Sequence, residues 1–141
     1  MTRLADAVEA ARVAATAPPR ASNARDLVLE ILTAAAEDER VLANLKDVPK
    51  GRALLRFTDT DEAIEFGAGD GALSAVSADP KGKGPKVDAT SATWLGLTSG
   101  TLKPWLAFTR GMVVARAGLT ELRWLQQVAE RLQKAYAEER P

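Results

Sequence analysis

Histidine and cysteine are both absent from this 141-residue chain. That excludes His-based triads, thiol nucleophiles, haem-attachment motifs and zinc sites of the Cys or His kind. Chemistry is left to carboxylates, lysines, hydroxyls and one phenol, Tyr136. Ser99 lacks the Gly-x-Ser-x-Gly elbow that exposes a nucleophile on a strained turn, and no motif supports a Ser99–Lys103 pair in its place. In Lys81-Gly82-Lys83-Gly84-Pro85-Lys86 a phosphate cradle would need glycine five residues before Gly82-Lys83 and Ser or Thr after it. Those positions hold Ser77 and Gly84, so the stretch reads as a solvated loop with weak attraction for anionic head groups. Gly67-Ala68-Gly69-Asp70-Gly71 has the wrong glycine spacing for a dinucleotide and precedes a hairpin. Asp59, Asp61 and Glu62 make no calcium loop, because Ala63 occupies a ligand position. The expectation is a protein without metal, without cofactor and without catalysis.

Two arginines stand out. Arg116 alternates with Met112 and Val114 and shares their face. A buried guanidinium needs a carboxylate partner, supplied by the protein or by a ligand's head group. Arg110, beside Gly111, reads as a surface residue.

Nineteen basic residues balance nineteen acidic ones, so no nucleic-acid footprint and no polybasic anchor is expected. About 46% of the residues are apolar, enough for one core. No run reaches the roughly 18 apolar residues of a membrane span. Asp6 and Glu9 do not suit a leader peptide. A cytoplasmic protein, monomeric or homodimeric, is expected, with transient membrane contact at most.

The elements follow from periodicity. Residues 2–17 read as an alanine-rich helix ended by Pro18-Pro19, either docked or loosely held. A second helix begins after the capping pair Ser22-Asn23, breaks at 37–39 and resumes with Val41, Leu42 and Leu45. Strands are predicted at 52–57, 62–66, 72–76 and 87–90, with turns at Asp59-Thr60-Asp61 and Gly67–Gly71. Helical spacing returns over 91–110, with Pro104 in a first turn and Gly111 as a terminator. A fifth strand is predicted at 112–117, and Gly118 breaks the chain after it. In the last helix Leu122, Leu125, Ala129, Leu132 and Tyr136 recur every three or four residues.

The stretch from Asp88 to Gly118 is the most specific. Asp88-Ala89-Thr90 precedes a Trp-Leu helix, then Ser99-Gly100-Thr101-Leu102-Lys103-Pro104-Trp105-Leu106-Ala107-Phe108-Thr109-Arg110-Gly111. This resembles the sterol carrier protein 2 (SCP-2) family of lipid-binding domains, in which a Ser-Gly-x-Leu-x-Pro-x-x-Ala-Phe-x-x-Gly stretch leads to a strand and a glycine. The likeness spans about residues 24–135 and is specific at 88–118. It departs at Thr101, where the family often has Lys, and at Leu119, where it often has Asp.

The resemblance implies an α+β fold: about five strands in a mainly antiparallel sheet, covered on one face by helices that enclose an apolar pocket. It places an N-terminal extension at 1–21 and the domain at 22–141. It implies binding, with transfer, of a hydrophobic small molecule such as a sterol or fatty acyl chain. The expected lining is Trp94, Leu102, Trp105, Leu106, Phe108, Val114 and Leu122, with Thr101 and Arg116 near the head group. Two alternatives stay open. One is an enzyme, or enzyme subunit, acting on a lipophilic substrate in that pocket; the other is a protein-interaction module with a filled core.

Overall fold

Alternation builds the sheet. The computed structural model describes residues 4, 6–9, 21–116 and 119–139, apart from the side chains at 21–23, 119 and 136–139. In β1 (Gly51–Phe57), Ala53, Leu55 and Phe57 turn to one side; in β2 (Glu62–Gly69), Ile64, Phe66 and Ala68 do likewise. Both sets join one buried core with Val87 and Ala89 of β4 (Lys86–Ala89). β3 (Ala72–Ala78) pairs antiparallel with β2, and β5 (Val114–Ala115) pairs antiparallel with β4. The strand order is β3-β2-β1-β4-β5, and β4 runs parallel to β1, its crossover being the β2–β3 hairpin and the following loop.

The first hairpin turn forms where the sequence places it, with the Phe57 carbonyl accepting the Thr60 and Asp61 N–H groups at 3.3 and 2.9 Å. The second is tighter than the expected Gly67–Gly71 turn. β2 continues through Gly69, which pairs with Ala72, and only Asp70 and Gly71 turn, at φ 53° and 75°. A two-residue turn of this hand matches the twist of the strands it joins. Gly69 is glycine for a different reason: a Cβ there would lie 2.3 Å from the Pro49 carbonyl oxygen.

Five helices follow the predicted order: α1 (Ala21–Ala36), α2 (Glu39–Asn44), α3 (Ser91–Ser99), α4 (Pro104–Thr109) and α5 (Leu119–Glu139). The break at 37–39 is a new helix start, because the Asp38 carboxylate accepts the Arg40 and Val41 N–H groups at 2.9 and 3.4 Å. On α5, Leu125, Val128, Ala129 and Leu132 form the buried stripe; the Tyr136 side chain lies outside the described residues. Leu4, Ala7 and Val8 are buried in the same core. The rest of the expected 2–17 helix, together with Ala117 and Gly118, lies outside the described residues.

The fifth strand is shorter than 112–117. Met112 donates its N–H to Ala107 and closes α4, and Val113 is buried in the core, so only Val114 and Ala115 reach β4.

The 79–85 loop does more than hydrate. Its Pro85 carbonyl accepts the Leu54 N–H at 2.7 Å, and the Pro80 carbonyl accepts from Arg56 at 3.4 Å. Leu54, which alternation turns away from the helices, is buried against this loop.

Candidate functional site

Where helices and sheet meet, the side chains leave an internal cavity of about 30 Å³. The sheet contributes Leu55 and Phe66, α1 contributes Leu32, α3 contributes Trp94, Leu97 and Thr98, and α4 contributes Phe108. α5 closes it with Leu125, Val128, Ala129 and Leu132. The only polar side chain on the wall is Thr98, whose hydroxyl donates to the Trp94 carbonyl at 2.7 Å. No group on this wall transfers a proton or holds an ion; it offers apolar contact and exclusion of water.

Polar ties at the rim fix the walls. The Thr90 hydroxyl accepts the Thr93 N–H, and the Asp59 carboxylate accepts both the backbone N–H and the hydroxyl of Ser91 at 3.0 and 2.8 Å. These ties start α3 where Trp94 can face the sheet. Trp94 then donates its indole N–H to the Arg56 carbonyl at 2.9 Å, and its ring lies tilted against Phe57 at 6.3 Å. Trp124 does the equivalent from α5, donating to the Pro49 carbonyl at 2.9 Å and packing against Phe66 at 5.9 Å. Gly51 has to be glycine beneath it, since a Cβ would lie 2.5 Å from the Trp124 ring. Gln133 of α5 donates to the Leu97 and Leu102 carbonyls at 3.0 and 2.8 Å.

Of the residues expected to line a pocket, the structure brings Trp94 and Phe108 to the cavity. Leu102, Leu106 and Leu122 are half-buried outside its wall. Trp105 is 55% exposed on α4. Val114 stands opposite Asp88 on the outer face of the sheet, 44% exposed, because alternation along β5 turns Ala115 rather than Val114 toward the core. Thr101 is exposed, with its hydroxyl 3.2 Å from that of Ser99. The wall residues on β1, β2 and α5 carry a signal in the sequence, the alternation of Leu55 and Phe66 and the stripe of the last helix. That signal marks a core face and does not tell core from cavity.

Arg116 also lies on the outer face. Its Nε donates to Asp88 at 2.9 Å, and Arg56 donates to the same carboxylate through Nη2 at 2.8 Å and through Nε. The carboxylate partner of Arg116 is thus the protein's own. The hydrogen bond from Arg56 holds the Asp88 carboxyl below the usual range against the opposing effect of burial, and Arg116 adds to the lowering. Asp88 in turn raises Arg56.

A larger concavity of about 430 Å³ lies on the strand surface over Gly67, beside the Arg52–Glu65 ion pair. It is open to solvent and cannot withdraw an apolar ligand from water as the internal cavity can. Among the described residues, no group of three acidic side chains is placed to hold a metal ion, and no helix is long and apolar enough to cross a membrane.

No known family model matches the chain. No curated protein matches its sequence significantly. Solved structures do match. A conserved hypothetical protein of Thermus thermophilus, described as a candidate sterol carrier protein, is 21% identical with a TM-score of 0.53, over 74% of this chain and 79% of its own. A crystal structure of sterol carrier protein 2 is also 21% identical with a TM-score of 0.53, over 72% and 85%. UbiJ-SCP2, described as a ubiquinone synthesis protein, is 8% identical with a TM-score of 0.52, over 86% and 98%. The chain has the fold of sterol carrier protein 2.

Proposed function

We propose that this protein binds, and transfers, a hydrophobic small molecule (a sterol, fatty acyl chain or other lipid) between its sheet and helix layer, without covalent chemistry. The observation that carries the reading is the cavity itself, walled by one sheet and four helices with no titratable group on its surface. The likeness in fold to sterol carrier protein 2 supports it. Affinity would come from apolar area withdrawn from water, at roughly 25 cal/mol per Å² before the costs of association. A cavity of about 30 Å³ is far below the roughly 300–1,000 Å³ of a ligand pocket, so binding requires a wall to move. α4 is the wall to move: it has six residues, carries Phe108, and is flanked by Gly100 and Gly111 in left-handed conformations. Its withdrawal would bring the half-buried Leu102, Leu106 and Leu122 onto the ligand's path, with Thr101 near the mouth. The absence of cysteine suits a carrier in a reducing compartment such as the cytoplasm.

A second reading, presentation of an apolar substrate within a biosynthetic assembly, is favoured by the ubiquinone synthesis protein among the structural neighbours. The same cavity serves both.

The test is a titration with an apolar fluorophore, alongside native mass spectrometry for a co-purified ligand. Phe108→Asp places a charge on the cavity wall from a half-buried position. The variant is expected to keep its far-UV dichroism and lose saturable uptake. Undiminished uptake by a folded variant refutes the site.

A further inference from the structure

Four large apolar side chains are strongly exposed among the described residues, and three of them, Trp105, Met112 and Val114, fall within ten positions of one another. The N–H of Met112 bonds the Ala107 carbonyl, which folds it back against α4 two residues from Trp105. The stretch from Thr101 to Arg116 also contains Lys103, Arg110 and Arg116, all exposed, and no Asp or Glu. In a chain whose charges balance, this is a local segregation. The acid nearest to it, Asp88, is 6% exposed and already bonded to two guanidiniums. An exposed tryptophan and methionine bracketed by cations, without acids, is the composition that seats a protein on an anionic lipid surface. A protein partner of mixed charge would be better met by acids within the patch.

We propose that the 101–116 segment docks on an anionic bilayer, with Trp105 and Met112 entering the interface while Lys103, Arg110 and Arg116 stay among the head groups. Docking itself does not depend on the ligand reading above. Its consequence does: Phe108 sits on the same short helix between Gly100 and Gly111, so seating α4 on a bilayer withdraws a wall of the cavity and opens it toward the lipid.

The experiment is co-sedimentation of the full chain with phosphatidylcholine vesicles, with and without phosphatidylserine. Brominated acyl chains serve as quenchers of tryptophan fluorescence. Each basic side chain near such a surface contributes roughly fivefold in affinity. Binding is expected on the anionic vesicles, with loss of about 25-fold in the double variant Lys103→Gln, Arg110→Gln. Quenching is expected in the wild type and should vanish in Trp105→Phe, because Trp94 is buried. Each substitution is at an exposed position, so the fold is retained and dichroism checks it. Equal binding to neutral and anionic vesicles, or no binding, overturns the proposal. So does a patch that instead self-associates, seen as a dimer dissociated by Trp105→Ala. Uptake of an apolar fluorophore without vesicles separates the two readings: uptake without docking overturns this proposal alone, and docking without uptake overturns the ligand reading.

Discussion

Leu132→Ala tests directly whether the space between α5 and the sheet holds a ligand. Leu132 is 3% exposed and lines the cavity. Buried Leu→Ala replacements cost about 2–5 kcal/mol, rising by roughly 24 cal/mol per Å³ of void. The existing void of about 30 Å³ joins the new hole and adds about 0.7 kcal/mol. A loss of about 3.5 kcal/mol is expected. With an unfolding entropy of roughly 0.3 kcal/mol/K for 141 residues, this lowers Tm by about 12 °C. The enlarged hole is lined by Leu, Phe, Trp and Val, stays dry, and suits a benzene-sized guest. At a hundred times its Kd, such a guest returns about 2.7 kcal/mol. The assay is thermal unfolding of wild type and variant, with and without benzene or indole. Val76→Ala on the outer face serves as control and is expected within about 0.5 kcal/mol of wild type. If the guest stabilises both proteins equally, or neither, the internal cavity is not where an apolar ligand binds.

Asp88→Asn should cost about 2 kcal/mol, because Arg56 and Arg116 lose their shared carboxylate. Since the folded Asp88 carboxyl is held below its ordinary value of about 3.9, its contribution is complete above about pH 5. It is lost as pH falls through the lowered folded value, so urea unfolding from pH 7 to pH 2 should show a shallower acid slope in the variant. Gly51→Ala pushes a methyl into the Trp124 ring and should destabilise by about 1–3 kcal/mol. Near-UV dichroism should report a displaced tryptophan while far-UV dichroism stays unchanged.

Periodicity carried most of the fold. The strands around Leu55 and Phe66, the start of α3 after Thr90, Pro104 at the head of α4 and the stripe of α5 are all where local patterns place them. Local signals misjudged the pieces set by contacts far along the chain. Gly67 and Gly69 read as a turn, yet they continue β2 because the chain at Pro49 approaches Gly69 too closely for a side chain. Val113 fits a strand pattern, but the core takes it. The parallel β1–β4 pairing joins residues about 32 apart, beyond any window of alternation. For the site, Trp94 and Phe108 were legible because they lie among the breaks at Gly100, Pro104 and Gly111. Val114 was not, because the choice of face in a two-residue strand depends on its register with β4.

The distribution of polar ties sets the direction in which the cavity can open. α3 is pinned at its start by Asp59 and to β1 by the Trp94 indole. α5 is pinned at three levels, by Trp124 to Pro49, by a two-point Arg131–Asp47 pair at 3.0 and 2.9 Å, and by Gln133 to Leu97 and Leu102. α4 has no such tie. Lys103 caps it without a side-chain hydrogen bond, and among the described residues none of its side chains makes a hydrogen bond or ion pair. It is held by backbone bonds at its ends and by the burial of Pro104 and Ala107, with Phe108 as its share of the cavity wall. Displacing α4 therefore costs apolar contact alone, and a bound acyl chain or sterol replaces apolar contact directly. Moving α3 or α5 would break buried or bidentate hydrogen bonds that no apolar ligand can restore. The wall that yields is the one whose losses the ligand can make good.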